Sequence, residues 1–402
     1  MNDLVEPLAP NRVPFETLGN MADLVRGQGM PKADLTDQGT GAIHYGQIYT
    51  HYGVWTSNTI SFIAPYKAAA LAKVDPGDII ITNTSENIDD VCKAVAWLGN
   101  DPIVTGGHAT VIKHHEYPKF LSYWFQSQSF FLQKTALATG TKVIDVSAKQ
   151  LAKVRVPVPP LEVQHEIVRI LDLFQSLEAE LEAELEKRRQ QYAYYRDQLL
   201  TFPEAEVRRI PLGELADFKY GFTASAAESG DYRFLRITDI TPWGKLSPEG
   251  AKYVERSAGA DDYLVQPGDL LMARTGATYG KTMLVSSSEP AVYASFLIRI
   301  RFKQQNVFPA YYWHFAQSTL YWSQANAMVS TGGQPQFNAN VLRLIEVPVP
   351  SLPEQARIVG ILDKFDALVN DLSVGLPAEL AARRKQYAHY RDRLLTFKEL
   401  AE

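Results

Sequence analysis

Residues 156–174 read Val156-Pro-Val-Pro-Pro-Leu-Glu-Val-Gln164-His-Glu-Ile167-Val-Arg-Ile170-Leu171-Asp172-Leu-Phe174, and residues 347–365 read Val347-Pro-Val-Pro-Ser-Leu-Pro-Glu-Gln355-Ala-Arg-Ile358-Val-Gly-Ile361-Leu362-Asp363-Lys-Phe365. The second stretch repeats the first. Further along, Arg188-Arg-Gln-Gln-Tyr192-Ala-Tyr-Tyr195-Arg196-Asp197-Gln-Leu199-Leu-Thr-Phe202 returns as Arg383-Arg-Lys-Gln-Tyr387-Ala-His-Tyr390-Arg391-Asp392-Arg-Leu394-Leu-Thr-Phe397. A fixed internal period of this kind decides the architecture before any local reading. The copies lie about 191 residues apart at the first block and about 195 at the second. The later copy therefore carries about one extra helical turn, at ~3.6 residues per turn, around Val374-Gly375-Leu376-Pro377.

Each copy has the periodicity of a long helix. In the first, Phe174, Leu177, Leu181, Leu185, Arg188, Tyr192, Tyr195 and Leu199 recur at steps of mostly three and four, the spacing of a coiled-coil seam. In the second, Phe365, Leu368, Leu372, Leu380, Tyr387, Tyr390 and Leu394 do the same. Pro157-Val-Pro-Pro160 and Pro348-Val-Pro350 precede the two helices and are extended or turn-like, because proline fixes φ and biases the residue before it away from the α region. A helix of ~40 residues is ~60 Å long, so the two copies are expected to pair antiparallel and bury each other's stripe.

The segments before the helices are diverged copies as well. Val74-Asp-Pro76-Gly77-Asp78-Ile-Ile-Ile81 resembles Val265-Gln-Pro267-Gly268-Asp269-Leu-Leu-Met272, and Lys119-Phe-Leu-Ser-Tyr-Trp-Phe125-Gln126-Ser127 resembles Ala310-Tyr-Tyr-Trp-His-Phe315-Ala-Gln317-Ser318. Short β-branched and aromatic runs near 43–63, 79–82, 91–95, 109–113, 234–237, 270–273 and 296–301 predict strands. Segments 119–134 and 310–325 predict helices, with Pro309 suited to the first helical position. The fold class is thus α+β, with two similar globular heads and two long helices. The expected boundaries are 1–155 and 204–346 for the heads, and 156–203 and 347–402 for the helices.

Composition narrows the function classes. A hydrophobic share of 46% and a charged share of 21% exclude disorder along the whole chain. The single cysteine, Cys92, excludes a disulfide framework and a cysteine-rich zinc site, and its apolar setting makes it a small buried hydrophobe. The start Met1-Asn2-Asp3-Leu4-Val5-Glu6 has neither a basic nor an apolar leader region, and no apolar run reaches the ~18–20 residues of a membrane span. A cytoplasmic protein with no membrane partner is the expectation. The net charge of −5 argues against a wholly basic nucleic-acid binder but not against a local cationic face. In residues 161–202 the acids outnumber the bases by about four, which places much of the negative charge on the first helix.

The doubled Val-Pro-Val-Pro…Gln…Ile…Ile-Leu-Asp block and the doubled Pro-Gly-Asp turn resemble the specificity subunits of type I restriction-modification systems, over residues 14–397. The resemblance implies two target-recognition domains, each reading one half of a split, asymmetric target in double-stranded DNA. It implies a helix pair that sets the spacer, and docking of two copies of a modification subunit that holds S-adenosylmethionine and methylates adenine N6. A motor-nuclease restriction subunit would complete the assembly. No catalysis, cofactor or metal is then expected in this chain. The residues agree: an Asn/Asp-Pro-Pro-aromatic tetrad for a flipped adenine is missing, Asn100-Asp101-Pro102-Ile103 being the nearest stretch. There is no G-x-x-x-x-G-K-[ST] loop, and His114-His115-Glu116 does not have the spacing of H-E-x-x-H, which leaves a surface turn as its reading.

DNA contacts are sought in polar loops near glycine. Arg274-Thr275-Gly276-Ala-Thr278-Tyr279-Gly280-Lys281 follows a strand directly, and its cations suit phosphate or a guanine edge, or simply a solvated hairpin. Gln334 and Gln336 lie in a second glycine-bearing loop and suit adenine N6/N7. Arg236 and Lys219 are further candidates, with an edge salt bridge as the alternative for Arg236. In the first head the counterpart of the Arg274 loop, Thr82-Asn83-Thr84-Ser85-Glu86-Asn87, has no cation, so Asn83 and Ser85 would read bases, with Lys142 and His108 supplying affinity. The tyrosines of His44-Tyr45-Gly46-Gln47-Ile48-Tyr49 alternate in and out if the stretch is a strand. A scaffold that binds only proteins is the competing reading.

Overall fold

A Pro-Gly-Asp turn launches the most buried strand of each head. Gly77 and Gly268 sit at φ +97° and +93°, a region that favours glycine, which lets the chain reverse into Ile79–Thr82 and Leu270–Ala273. The aspartate that follows is buried and closes the turn: Asp78 accepts from the Asp75 amide at 2.7 Å, Asp269 from the Gln266 amide at 2.9 Å. A cation from the neighbouring strand neutralises each, Lys113 at 2.6 Å and Arg301 through two 2.6 Å bonds.

The computed structural model describes residues 12–257, 259–303, 306–329 and 337–400. They form two units, one of residues up to 180 together with those from 382, the other of residues 181–381. In the first unit one sheet runs in the order Ala22–Arg26, Ala109–His114, Ile79–Thr82, Ala94–Trp97, Trp55–Thr56. In the second the order is Ala216–Tyr220, Leu297–Phe302, Leu270–Ala273, Thr282–Leu284, the same plan less one edge strand. A second sheet accompanies each, of five strands in the first unit and of three in the second, Tyr253–Val254, Tyr232–Leu235, Ala291–Tyr293. The extended proline segments are strands: Arg155–Pro157 pairs with Phe15–Thr17, and Glu346–Val349 with Arg208–Pro211.

Three local expectations change. Segment 45–50 is a helix, Tyr45–Thr50, not a strand, because His44 and Gln47 form a reciprocal cap: His44 Nδ1 accepts from the Gly46 amide and Gln47 Oε1 from the His44 amide. The helices expected at 119–134 and 310–325 are each two, Pro118–Trp124 with Gln128–Leu137 and Pro309–Phe315 with Thr319–Met328. Ser127 and Ser318 start the second helix of each pair by accepting from the Phe130 and Tyr321 amides. The third change concerns the repeat. The first copy is one 40-residue helix, Leu161–Leu200, but the second is two, Leu352–Asn370 and Gly375–Leu395. The extra turn is a break. Asp371 Oδ1 accepts from the amides of Ser373 and Val374, and Gly375 takes φ +82°, where a Cβ would lie 2.6 Å from two carbonyl oxygens.

Antiparallel helix pairing holds inside each unit. In the first, Phe174 stacks on Tyr390 at 5.6 Å and lies 6.4 Å from Tyr387, while Glu178 meets Arg384 at 2.6 Å, so partner numbers fall as helix numbers rise. In the second, Phe365 stacks on Tyr192 and Tyr195 at 6.4 and 5.7 Å. These are the same residues of the repeat in exchanged roles. Leu185, Tyr192 and Leu394 are buried, and Leu181, Leu199 and Tyr387 partly so. Leu372 departs from the expected seam: it is 65% exposed in the break between the helices. Leu177 and Leu368 are also largely exposed, and Leu200 and Leu395, fully buried, close the two ends instead.

Buried polar ties fix helix to head. Gln164 accepts from the Tyr117 amide and donates to the Pro159 carbonyl and to Glu116. Gln355 accepts from the Phe308 amide and donates to the carbonyls of Asn306 and Pro350. Asp197 and Asp392 each take a backbone N–H at a head helix start, from Thr319 and Gln128.

Candidate nucleic-acid interface

The 274–281 loop leaves the buried strand Leu270–Ala273 and returns as Thr282–Leu284. Its conformation is set by backbone bonds, from the Ala273 amide to the Lys281 carbonyl and from the Gly280 amide to the Ala273 carbonyl, with Gly276 and Gly280 at φ +71° and +77°. Arg274 is half-buried. Its Nε donates to the Ser295 carbonyl at 3.0 Å, and its guanidinium lies 5.4 Å from the Tyr220 ring and 5.5 Å from the Phe296 ring. Both rings are exposed, and no carboxylate among the described residues pairs with Arg274. A guanidinium held between aromatic faces with no counter-ion is weakly hydrated and suited to a phosphate or a guanine edge.

The rest of the loop serves structure more than contact. Thr275 is buried at the start of a short 3-10 turn. Tyr279 donates to Asn326 at 2.8 Å and sits edge-on to Trp322. Lys281 is half-buried and forms no ion pair with any described residue. Arg236, by contrast, is spent: it makes a two-pronged pair with buried Asp239 at 2.7 and 3.2 Å and donates to the Gly250 carbonyl. The salt bridge sets its charge against the buried Asp239 carboxylate. Lys219 donates to the Asp262 carbonyl at 2.7 Å and lies 4.4 Å over the Tyr263 ring. Gln334 and Gln336 lie outside the described residues.

In the first head the expected reader Asn83 is fully buried. Its amide donates to the Val146 carbonyl at 2.7 Å and accepts from Thr110 at 2.9 Å, so it offers nothing to a base. Ser85 is half-buried and accepts from the Asn87 amide. Lys142 is exposed. His108 is exposed at φ +66°, with Nδ1 3.0 Å from Thr84 Oγ1 and its ring 5.0 Å from Tyr45. Burial, helped by Lys32 and His108, lowers the neighbouring His44 below the usual imidazole range. Tyr49, on the same short helix, donates to the Thr84 carbonyl, and burial raises its hydroxyl pKa.

Phe296 was not legible as a site residue. It immediately precedes the strand Leu297–Phe302, and only the structure shows it 51% exposed beside Arg274. Cys92 is 1% exposed and burial pushes its thiol up to about 12, which makes it inert as a nucleophile. His114 ends a strand instead of lying on a surface turn, and burial pulls its imidazole down to about 4. Among the described residues no three His, Cys, Asp or Glu side chains gather to hold a metal, and no helix is long and apolar enough to cross a membrane.

The sequence pattern described as "Type I restriction modification DNA specificity domain" matches twice, over residues 12–187 and 204–382. The chain is 36% identical over 262 residues to the Type I restriction enzyme EcoR124I/EcoR124II specificity subunit of Escherichia coli, covering 61% of this chain and 63% of the relative. It is 31% identical over 271 residues to the Type I restriction enzyme EcoprrI specificity subunit of Escherichia coli, covering 63% and 62%. The matched part thus spans under two thirds of each of these relatives. A solved chain from work on complex assembly and conformational transition of the type I R-M system superposes with a TM-score of 0.67 at 16% identity, over 96% of this chain and 99% of that one, a likeness of fold. With the pattern present in both halves and covering most of its length, this chain belongs to the type I restriction modification DNA specificity domain family.

Proposed function

We propose that this chain is the DNA-recognition subunit of a type I restriction-modification complex in the cytoplasm. Each head reads one half of a bipartite, asymmetric target in double-stranded DNA, and the repeated helices set the spacer between the halves. Two modification subunits dock on the chain, bring S-adenosylmethionine and methylate adenine; a restriction subunit completes the assembly where one is present. The chain itself is not an enzyme.

The observation that carries this reading is the duplicated build. Two heads share one sheet plan and the same helix ties, yet differ at the loops that leave the central strand. Arg274 between two exposed aromatics marks the second head, whereas a loop without a cation, Thr82 to Asn87, occupies the same position in the first. A scaffold common to both halves with unlike loops suits two different half-sites.

The test is retention of duplex DNA by the complex of this chain with its modification subunit. Retention should fall steeply with salt, as counterion release requires, and methyl transfer should appear only when both proteins are present. A complex that assembles but shows no salt-dependent retention would make the chain a protein scaffold. Inserting one helical turn into both repeated helices should lengthen the recognised spacer; an unchanged spacer would contradict the ruler role.

A further inference from the structure

Within the second unit lies a cavity of about 250 Å³ lined by no acidic residue but by three cations, Arg189, Arg196 and Lys281. Arg189 and Arg196 come from the Leu161–Leu200 helix, and Lys281 closes the loop that begins at Arg274. Arg189 lies over Trp243, its guanidinium carbon 4.4 Å from the ring centre. Three buried donors on the lining, Arg189 Nε, Arg196 Nε and Gln317 Nε2, and one buried acceptor, Asn370 Oδ1, have no hydrogen-bond partner among the described residues. Arg196 Nε has only a 3.6 Å ion pair with Asp197, whose Oδ1 already accepts from the Thr319 amide. A buried donor left unmade costs ~1–3 kcal/mol, and unpartnered donors outnumber the single unpartnered acceptor beside three cations, which favours an anion with acceptor oxygens.

We infer that this cavity is a phosphate-anchoring site, and that its occupant is a backbone phosphate of the bound duplex. A backbone phosphodiester brings two anionic non-bridging oxygens that accept from Arg and Gln donors, and its charge offsets cations that no acid on the lining neutralises. DNA is favoured as the source because the cavity shares Lys281 with the Arg274 loop, so the same loop serves both places. The inference rests on the proposed DNA reading only for that source.

Two arms test it. In the first, DNA binding by the complex with the modification subunit is followed against salt for the parent, Arg189→Gln, Arg189→Lys and Lys281→Gln. The Gln variants should weaken binding equally on all sequences and lower the salt slope by about one per lost contact, with Arg189→Lys largely restoring it. In the second arm, inorganic phosphate is added to the full chain and tryptophan emission is read. A response in the parent that Arg189→Gln removes, with slopes in the first arm unchanged, would keep the phosphate site and assign it to a free ligand. If the parent fails to bind DNA, the proposed function falls, and the phosphate arm alone decides the site. Unchanged slopes together with no phosphate response would overturn the inference. So would loss of modification-subunit assembly in Arg189→Gln, which would point to a protein carboxylate. Thermal melts matching the parent identify folded variants.

Discussion

The Arg236 guanidinium is committed to Asp239 and the Gly250 carbonyl, while that of Arg274 faces two exposed rings with no carboxylate beside it. The two substitutions should therefore separate. Arg236→Ala leaves the carboxylate of Asp239, 3% exposed, without its cation and should lower stability by ~2–3 kcal/mol in urea unfolding. Arg274→Ala should change stability by less than ~1 kcal/mol but cost DNA binding ~1–3 kcal/mol at one half-site if it reads a guanine. Equal weakening on every sequence would make it a phosphate contact. Sequence could not sort these arginines, since both stand next to a strand end. What separates them is Asp239, three residues after Arg236, turned inward by a 3-10 turn. Asn83 is hidden for a different reason: its partner Val146 is 63 residues away.

His114 supplies a pH dependence at this scale. Burial holds the folded imidazole at about 4, below the usual 6.5. Between those values the unfolded chain binds a proton that the folded chain refuses. The contribution is therefore complete above pH 6.5 and is lost as pH falls towards 4, by ~1–3 kcal/mol. Urea unfolding at pH 7 and pH 4.5 should show a smaller loss for His114→Gln than for the parent; equal losses would contradict it.

Among the elements, the long helices were the most legible, because a three-and-four apolar step over many turns has few other meanings. Their interruption was half legible: the added turn and Val374-Gly375-Leu376-Pro377 located it, but not that it ends one helix and starts another. The missed helix Tyr45–Thr50 has a cause in side-chain capping by a histidine, a residue outside the usual Ser, Thr, Asp and Asn set. The ties between helix and head are where element-level stability concentrates. Gln355→Leu strands the Phe308 amide and the carbonyls of Asn306 and Pro350, and should cost ~2–4 kcal/mol. Gln164→Leu should cost a similar amount in the other unit, and a loss under ~1 kcal/mol in both would mean that these bonds are replaced by water.

At the scale of the whole molecule, duplication is the organising fact. Each half of the Leu161–Leu200 helix belongs to a different unit, and each unit is completed by residues from the other copy of the repeat. Phe174 against Tyr387 and Tyr390 is answered by Phe365 against Tyr192 and Tyr195. Neither repeat can be shortened at one end without loosening a unit. The heads, by contrast, are free to diverge at their loops while the sheet plan and the glutamine ties stay.

The most direct measurement is a map of methylated adenines in DNA from cells that express this chain with its modification subunit. It is made once with the chain as it stands and once with residues 204–346 exchanged for those of another family member. The account predicts a target in two parts with a fixed gap, of which the exchange alters one part only. A continuous target, or both parts changing together, would contradict it.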